Sequence, residues 1–378
     1  MSRILIVTNI FPPLIGGPAT FADRLAAVLA GRGHRVTVVC SSTMPTDPGD
    51  AARPFRVVRV STANRYAYEV KVRAVLVREM LAHRRILVAG LETYVLDAVR
   101  LAPRRYILRV PGDTVWEAAR NYGVTTLPYA DFQEAPLPPL VAAAARQRLA
   151  YMAKASAIVA PSRHLAGLVR RWLPSAGDVR VIANGVAQDE RAGTCTAAPR
   201  GDGPLRALFV GRLTNAKGVE TILLATRDMQ GIAVDIVGDG PELPMLATLH
   251  AQLGAPPHVR LLGRKGAAEV KAAMAAAHVL LLPSENEGMS NALLEGCAAG
   301  LAPVVSRIPS NLEVIEDGTS ALVHDYGDVA ALRAALERLA TDDALRLRIA
   351  AAARRRAADF PFEATVDAYA ALIEERSP

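Results

Sequence analysis

The sequence predicts an α/β protein of two doubly wound, Rossmann-like domains, and three observations carry that reading. Short apolar runs of strand length alternate with helical stretches along the chain, the order that builds a parallel sheet covered by helices on both faces. The alternation stops over 188–204, a polar stretch that holds Gly193, Gly201 and Gly203 without an apolar period, and it restarts at Leu205. A length of 378 residues is enough for two domains of ordinary size, each with its own core. The expected division is a first domain over 1–187, a linker over 188–204 and a second domain over 205–360, followed by a terminal helix at about 361–378.

The first half opens on a buried strand, Ile4 to Thr8, with no signal-peptide pattern before it. A loop, Phe11-Pro12-Pro13-Leu14-Ile15-Gly16-Gly17, leads to a helix over Ala19 to Ala30 and a second strand from Gly33 to Val39, one parallel βαβ unit. Gly16 and Gly17 let backbone approach a phosphate or sugar closely, although a tight βα turn calls for glycine without any ligand. Nine basic residues follow between Arg53 and Arg85, and Tyr66 to Leu81 among them reads as a helix. That helix either docks on anionic lipid or presents a solvated, arginine-rich face. Strands recur at Ile86 to Ala89, Tyr106 to Val110, Ala157 to Ala160 and Val179 to Ile182. Pro111-Gly112-Asp113 ends one of them, and the segment from Trp116-Glu117 to the proline-rich Leu137-Pro138-Pro139 shows no clear period. Asp113 is either a cap on the following helix or an acid that orients or deprotonates an acceptor hydroxyl.

The second half restarts with the strand Leu205 to Val210 and the loop Gly211-Arg212-Leu213-Thr214-Asn215-Ala216-Lys217-Gly218. After the strand Val234 to Val237, Gly238-Asp239-Gly240 reads as a structural turn, because the G-x-G-x-x-G spacing of a dinucleotide site is absent. Another strand and loop run from Val259 to Gly266. His278 to Leu282 is a buried strand that hands the chain, through a polar loop, to a helix starting near Ser290 and stopped by Gly300. Ser290 and Asn291 are good capping residues, and the N–H groups there suit a phosphate or sugar oxygen. Glu287 and Glu295, with seven residues between them, fall in the loop and about a turn and a half into the helix. There they serve either a ligand above the carboxyl end of the sheet or only a solvated loop and helix surface. Leu301 to Ser306 is the next buried strand; helices over Asp328 to Ala340, Asp342 to Ala358 and Glu363 to Glu375 close the chain.

With 51% apolar and 21% charged residues the composition is that of a soluble globular protein, and no apolar run approaches the ~20 residues of a membrane-spanning helix. Cys40, Cys195 and Cys297 form no CxxC pair, so a reduced, cytoplasmic protein without a cysteine metal site is expected. Residues 1–200 hold 27 Lys+Arg against 14 Asp+Glu, or +13, and the remainder 17 against 23, or −6. The basic half invites an anionic acceptor or peripheral contact with the inner membrane face, whereas nucleic acid is not expected, since no aromatic platform or reading motif accompanies the charge.

The Glu287-Gly288 and Glu295 pattern resembles the E-x7-E motif of retaining glycosyltransferases of family 4, which have the GT-B fold. Gly211-Arg212, Lys217-Gly218, Pro161-Ser162 and Asn184-Gly185-Val186 are similar to further landmarks of that family. The resemblance implies two Rossmann-like domains facing each other across a cleft, with the terminal helix crossing back to the first. The nucleotide sugar would be held mainly by the second domain and the acceptor by the first. It implies that Glu287 binds donor-sugar hydroxyls, that Glu295 binds the ribose, and that Arg212 and Lys217 meet the charge of the leaving diphosphate. Gly16, Gly17, Gly211, Gly288, Met289, Ser290 and Asn291 would line the donor, and Gly263, Arg264 and Lys265 would border the base. Pro111 stands where many members carry a histidine, which leaves Asp113 as the nearest ionisable group. The expected activity is transfer from a UDP-hexose or UDP-N-acetylhexosamine to a hydroxyl of a lipid-linked saccharide or soluble small molecule, with no cofactor and, lacking a D-x-D triplet, no metal. A GT-B-shaped epimerase and a non-catalytic nucleotide-sugar-binding subunit are the alternatives.

Overall fold

The computed structural model describes residues 1–14, 17–187 and 203–375, so Gly16 and nearly all of the expected linker lie outside the described residues. The chain divides into two compact units. Unit 1 comprises Met1–Gly112, Ala142–Ala183 and Glu363–Pro378, and unit 2 comprises Asp113–Val141 and Asn184–Phe362.

Unit 1 is built on seven strands, β1 (Arg3–Thr8), β2 (Arg35–Ser42), β3 (Arg56–Ser61), β4 (Arg85–Ala89), β5 (Tyr106–Arg109), β6 (Ala155–Ala160) and β7 (Val179–Val181), in the order β3-β2-β1-β4-β5-β6-β7. Every neighbouring pair is parallel. Strands covered on both faces read as continuous apolar runs, and Ile4, Leu5, Ile6 and Val7 of β1 are accordingly without solvent exposure. Helices α1 (Gly17–Gly31), α2 (Arg65–Ala82) and α3 (Glu92–Val99) belong to this unit. The strand β3 is absent from the sequence expectation, because Arg56-Val57-Val58-Arg59 reads as part of a basic run. It is an edge strand, where charge is tolerated and blunts unwanted pairing.

Much of that basic run is neutralised internally. The Arg59 side chain, 2% exposed, donates to both carboxylate oxygens of Asp50 at 2.7 and 2.8 Å. Arg53 pairs with Asp23, Arg56 and Arg78 share Glu79, and Arg73 bridges Glu69 and Asp97.

Unit 2 holds α4 (Thr114–Asn121) and α5 (Tyr129–Phe132), while α6 (Pro139–Met152) leads back to unit 1, which also contains α7 (Arg163–Trp172). Its sheet has six parallel strands, β8 (Leu205–Val210), β9 (Ile232–Val237), β10 (Val259–Gly263), β11 (Val279–Leu282), β12 (Ala302–Ser306) and β13 (Leu322–His324), in the order β10-β9-β8-β11-β12-β13. The helices are α8 (Val219–Thr226), α9 (Leu243–Gln252), α10 (Ala267–Ala276), α11 (Asn291–Ala298), α12 (Pro309–Leu312), α13 (Val329–Thr341) and α14 (Asp343–Ala357). Phe209, Val234, Ile236, Leu281, Val304 and Leu336 form part of the core between them.

The division differs from the expected boundary at 187. Residues 113–141 and 184–187 pack with the second unit, for reasons that sequence order hides. Glu285 accepts from Arg120 Nη2 at 3.1 Å and from the Tyr129 backbone N–H at 2.8 Å, and Asn184 Nδ2 donates to the Met289 carbonyl at 3.0 Å. Val186 exchanges backbone bonds with Phe360 and Phe362. The terminal helix α15 (Phe362–Glu375) lies in unit 1 from Glu363 onward. Its Tyr369 ring meets Phe21 edge to face at 4.8 Å, and Thr365 Oγ1 donates to the Ala183 carbonyl at 2.8 Å.

Candidate functional site

The strand order of unit 2 reverses direction between β8 and β11. Loops leaving the carboxyl ends of strands at such a switch diverge and leave room for a ligand. The loop after β8 carries Arg212 and Lys217; the loop after β11 carries Glu287. Topology alone therefore brings two cations and one acid to the same place.

The side chains meet there. Lys217 ends a short 3-10 turn, Asn215–Lys217, and its Nζ lies 2.5 Å from Glu287 Oε1. Ser284 Oγ donates to the same oxygen at 2.8 Å, so the lysine and the hydroxyl fix the carboxylate. Among the described residues no group bonds Glu287 Oε2. The two loops are also tied through backbone, since the Glu285 N–H donates to the Ala216 carbonyl at 2.8 Å. Gly218 makes this closeness possible: its φ is +62° and a Cβ there would lie 2.2 Å from the Pro283 carbonyl oxygen. Left-handed backbone costs an L-residue roughly 1–2 kcal/mol before any clash. Gly218→Ala is therefore expected to push the two loops apart and to lower the melting temperature in a thermal scan.

The Gly238-Asp239-Gly240 turn supports the same site from behind. A Cβ on Gly238 would sit 1.9 Å from the Gly211 carbonyl oxygen, while Leu213 N donates to the Asp239 carbonyl and Glu242 N to the Leu213 carbonyl. The turn is structural, and its work is to seat Gly211 and the arm that carries Arg212. Arg212 itself is exposed and makes no ion pair among the described residues. The cavity of about 250 Å³ on the flank of this arm is lined by Thr214, Gly218, Glu220, Glu242, Met245 and Tyr326 among others. Its ionisable lining includes two carboxylates rather than cations, so it does not suit a diphosphate.

The other expected residues are placed as follows. Ser290 caps α11 by accepting from Leu293 N at 3.2 Å, which leaves the N–H groups of Asn291 and Ala292, in the first turn, for other partners. Gly288 and the buried Met289 lead into that cap. Glu295 is half-buried in the second turn of α11. In the loop after β10 the Gly263 carbonyl accepts from Gly238 N, Arg264 is exposed, and Lys265 pairs with Glu269 at 3.3 Å, leaving the lysine a surface partner of its own. Gly17 opens α1 in unit 1, apart from these unit 2 residues in the division of the chain.

Asp113 takes the cap reading of the two that its sequence position offers. It is fully buried as the N-cap of α4, where Oδ1 accepts from Trp116 N at 3.2 Å and Oδ2 from Gln133 Nε2 at 2.9 Å. With both oxygens engaged by protein donors and no exposed surface, it is a structural cap rather than a group for an acceptor hydroxyl.

The acid that the sequence did not single out is Glu117, one turn further along α4. Burial pushes its carboxyl up to about 7, against the opposing charge of Lys217, with Glu287 and Asp113 raising it further and Arg212 opposing. A segment from the first half of the sequence thus brings a carboxyl under the electrostatic influence of the Lys217–Glu287 pair. Glu285 was likewise unmarked, although it anchors that segment.

Comparison with known proteins agrees with this architecture. A model described as Glycosyltransferase Family 4 matches residues 15–190, and one described as Glycosyl transferases group 1 matches residues 197–356. The lipopolysaccharide core biosynthesis glycosyltransferases LpsE and LpsD of Rhizobium meliloti are each 30% identical, over 53% and 60% of this chain. The chain spans 58% and 66% of the length of these two relatives. A glycogen synthase of Mycobacterium tuberculosis is 28% identical over 100% of this chain and 96% of its own. Among solved structures, sucrose-phosphate synthase from Thermosynechococcus elongatus has a TM-score of 0.82 at 18% identity, covering 99% of each chain. The Anabaena protein HepE, in complex with UDP-glucose, has a TM-score of 0.76 at 16% identity, covering 100% of each. Likeness at these identities is likeness of fold, and it extends along both units. One glycosyltransferase model matches each half of the sequence, and the two parallel-sheet units beneath them have the fold of the GT-B glycosyltransferases.

Proposed function

We propose that the protein transfers a sugar from a nucleoside diphosphate sugar to an acceptor hydroxyl, with retention of anomeric configuration and without a metal ion. The observation that carries the reading is the Lys217–Glu287 pair at the β8/β11 switch, on the same loops as the exposed Arg212. Departure of a nucleoside diphosphate builds negative charge on its β-phosphate, and fixed cations stabilise that charge as it grows. Arg212 supplies a planar fork and Lys217 a point charge. Glu287, held by Ser284, turns its open oxygen to hydroxyls of the transferred sugar, and Glu295 holds the ribose. No protein group is assigned as nucleophile. Attack on the face the diphosphate leaves, with the leaving phosphate helping to take the acceptor proton, gives retention.

A UDP-hexose or UDP-N-acetylhexosamine is the proposed donor, supported by the UDP-glucose named for HepE. The lipopolysaccharide-core relatives favour a lipid-linked saccharide over a soluble small molecule as acceptor. A cytoplasmic place with peripheral contact at the inner membrane face belongs to the same proposal. Tyr66 and Val70 of α2 stay exposed beside Arg65 and Lys71, which make no ion pair among the described residues. No helix among those residues is long and apolar enough to cross a membrane.

Thermal-shift measurements with UDP-, GDP- and ADP-sugars test the donor. One nucleotide class should raise the melting temperature, since ligand at a hundred times its Kd stabilises by about 2.7 kcal/mol. Nucleotide release should then require an acceptor and proceed at the same rate in EDTA. A flat response to all three classes would contradict the proposal, and an EDTA-sensitive rate would contradict its metal-free form.

A further inference from the structure

Glu117 has no place in the reading above, yet its position is built with care. The segment that carries it is held together from within and tied to the β11 loop through Glu285. Asp113 caps its helix and binds Gln133; Arg120 and the Tyr129 N–H both bind Glu285; and the Trp116 ring packs edge to face on Tyr129 at 4.9 Å. Residues three and four apart on a helix share a face. Asp113, Glu117 and Arg120 therefore look the same way, and Arg120 binds Glu285, two positions from Glu287 on the β11 loop. The helix α4 also packs against the Asn215–Lys217 turn. Glu117 thus stands between two fixed points of a helix laid against both loops of the candidate site. Trp116, next to it and fully buried, leaves its indole N–H without a hydrogen-bond partner among the described residues, and a buried polar group of this kind asks for a water or ligand.

We propose, building on the donor site assigned above, that Glu117 is a further ligand-facing residue of that site, which hydrogen-bonds the bound sugar diphosphate and couples its binding to proton uptake. A carboxylate cannot accept a phosphate oxygen as a neighbour, but a carboxylic acid can donate to it. The charged and titratable groups facing Glu117 are Asp113 on its own helix, Lys217 from the 3-10 turn, Glu287 from the β11 loop and Arg212 from the β8 loop. Burial already moves its titration close to neutrality, so the proton is available there without extreme pH. An arriving diphosphate adds negative charge and favours the protonated form further, because a like charge disfavours ionisation. The sign follows from linkage: binding takes up a proton, so affinity falls as pH rises through and above the free enzyme's titration, by up to about tenfold per pH unit.

The test is calorimetric titration of the full chain with UDP-glucose, GDP-glucose and ADP-glucose between pH 6 and 8.5, on the wild type and Glu117→Gln. The diphosphate of a nucleotide sugar does not itself titrate in this range. For whichever donor binds, the wild type should lose roughly tenfold or more in affinity across the range and take up protons, read from the dependence of the heat on buffer ionisation. Glu117→Gln, which keeps the shape and a donor, should bind with a nearly flat profile and no proton uptake. Glu117→Asp should restore a pH dependence, a readout that a merely structural role would not move. Identical profiles in wild type and Glu117→Gln would overturn the role of Glu117 while leaving the donor site standing. Absence of binding by the wild type to all three sugars would overturn both.

Discussion

Lys217→Ala is expected to lower turnover by roughly 10²–10³ while leaving the protein folded, because in the proposed reaction it removes a fixed donor from the point where leaving-group charge develops. The side chain projects from a 3-10 turn whose backbone bonds do not involve the ammonium, and Ser284 still holds Glu287 once the lysine is gone. The loss should fall mainly on kcat, since the charge being met is larger in the transition state than in the bound donor. Lys217→Arg should recover part of the rate, as its guanidinium keeps the charge but not the position of Nζ. Circular dichroism and a melting curve check the fold, and initial rates of nucleotide release check the chemistry. A variant with near wild-type turnover would remove the assigned role.

Glu285→Ala should produce the largest loss of stability among single changes at the site. The carboxylate, whose side chain is 5% exposed, satisfies both the 14% exposed Arg120 guanidinium and the Tyr129 N–H. Removing one partner of a buried pair leaves the other charged and unpaired, at a cost of about 3 kcal/mol or more, which for a unit of this size lowers the melting temperature by roughly 6–12 °C. Because Arg120 and Tyr129 belong to the segment that carries Glu117, the same change should flatten the pH dependence of donor binding. Glu285→Gln keeps acceptor and shape and should lose less. An unchanged melting curve for Glu285→Ala would show that the segment is held by its apolar contacts alone.

The parts legible in the sequence were those whose cause is local. Strands such as β1, β8 and β11 are covered on both faces and announce themselves as unbroken apolar runs. The glycine-marked loops after β8 and β11 follow directly from where those strands end, and the resemblance to family 4 picks Arg212, Lys217 and Glu287 out of them; the meeting of Lys217 with Glu287 is visible only in the structure. The strand β3 was hidden because Arg56 and Arg59 break its apolar pattern, and because the buried partner of Arg59, Asp50, lies on a different element. The segment 113–141 was hidden for a stronger reason. Its helices are short, eight and four residues, too few turns to show a period. Its anchors at Glu285 are separated from it by 165 and 156 positions, and no local pattern records such a distance. Asp113 stands out by its place at a strand end, yet Glu117, one turn on, is the acid whose ionisation the charges of Lys217 and Arg212 favour. A half-buried carboxyl of this kind is marked by its surroundings in three dimensions and by nothing in its immediate sequence.

The most direct measurement is a crystal structure of the protein grown with the nucleoside diphosphate that gives the largest thermal shift. The diphosphate should lie on the β8/β11 loops of unit 2, its terminal phosphate within hydrogen-bond distance of Lys217 Nζ and Arg212 and its ribose against Glu295. A nucleotide seated elsewhere, with the ammonium of residue 217 facing no phosphate oxygen, would contradict the account.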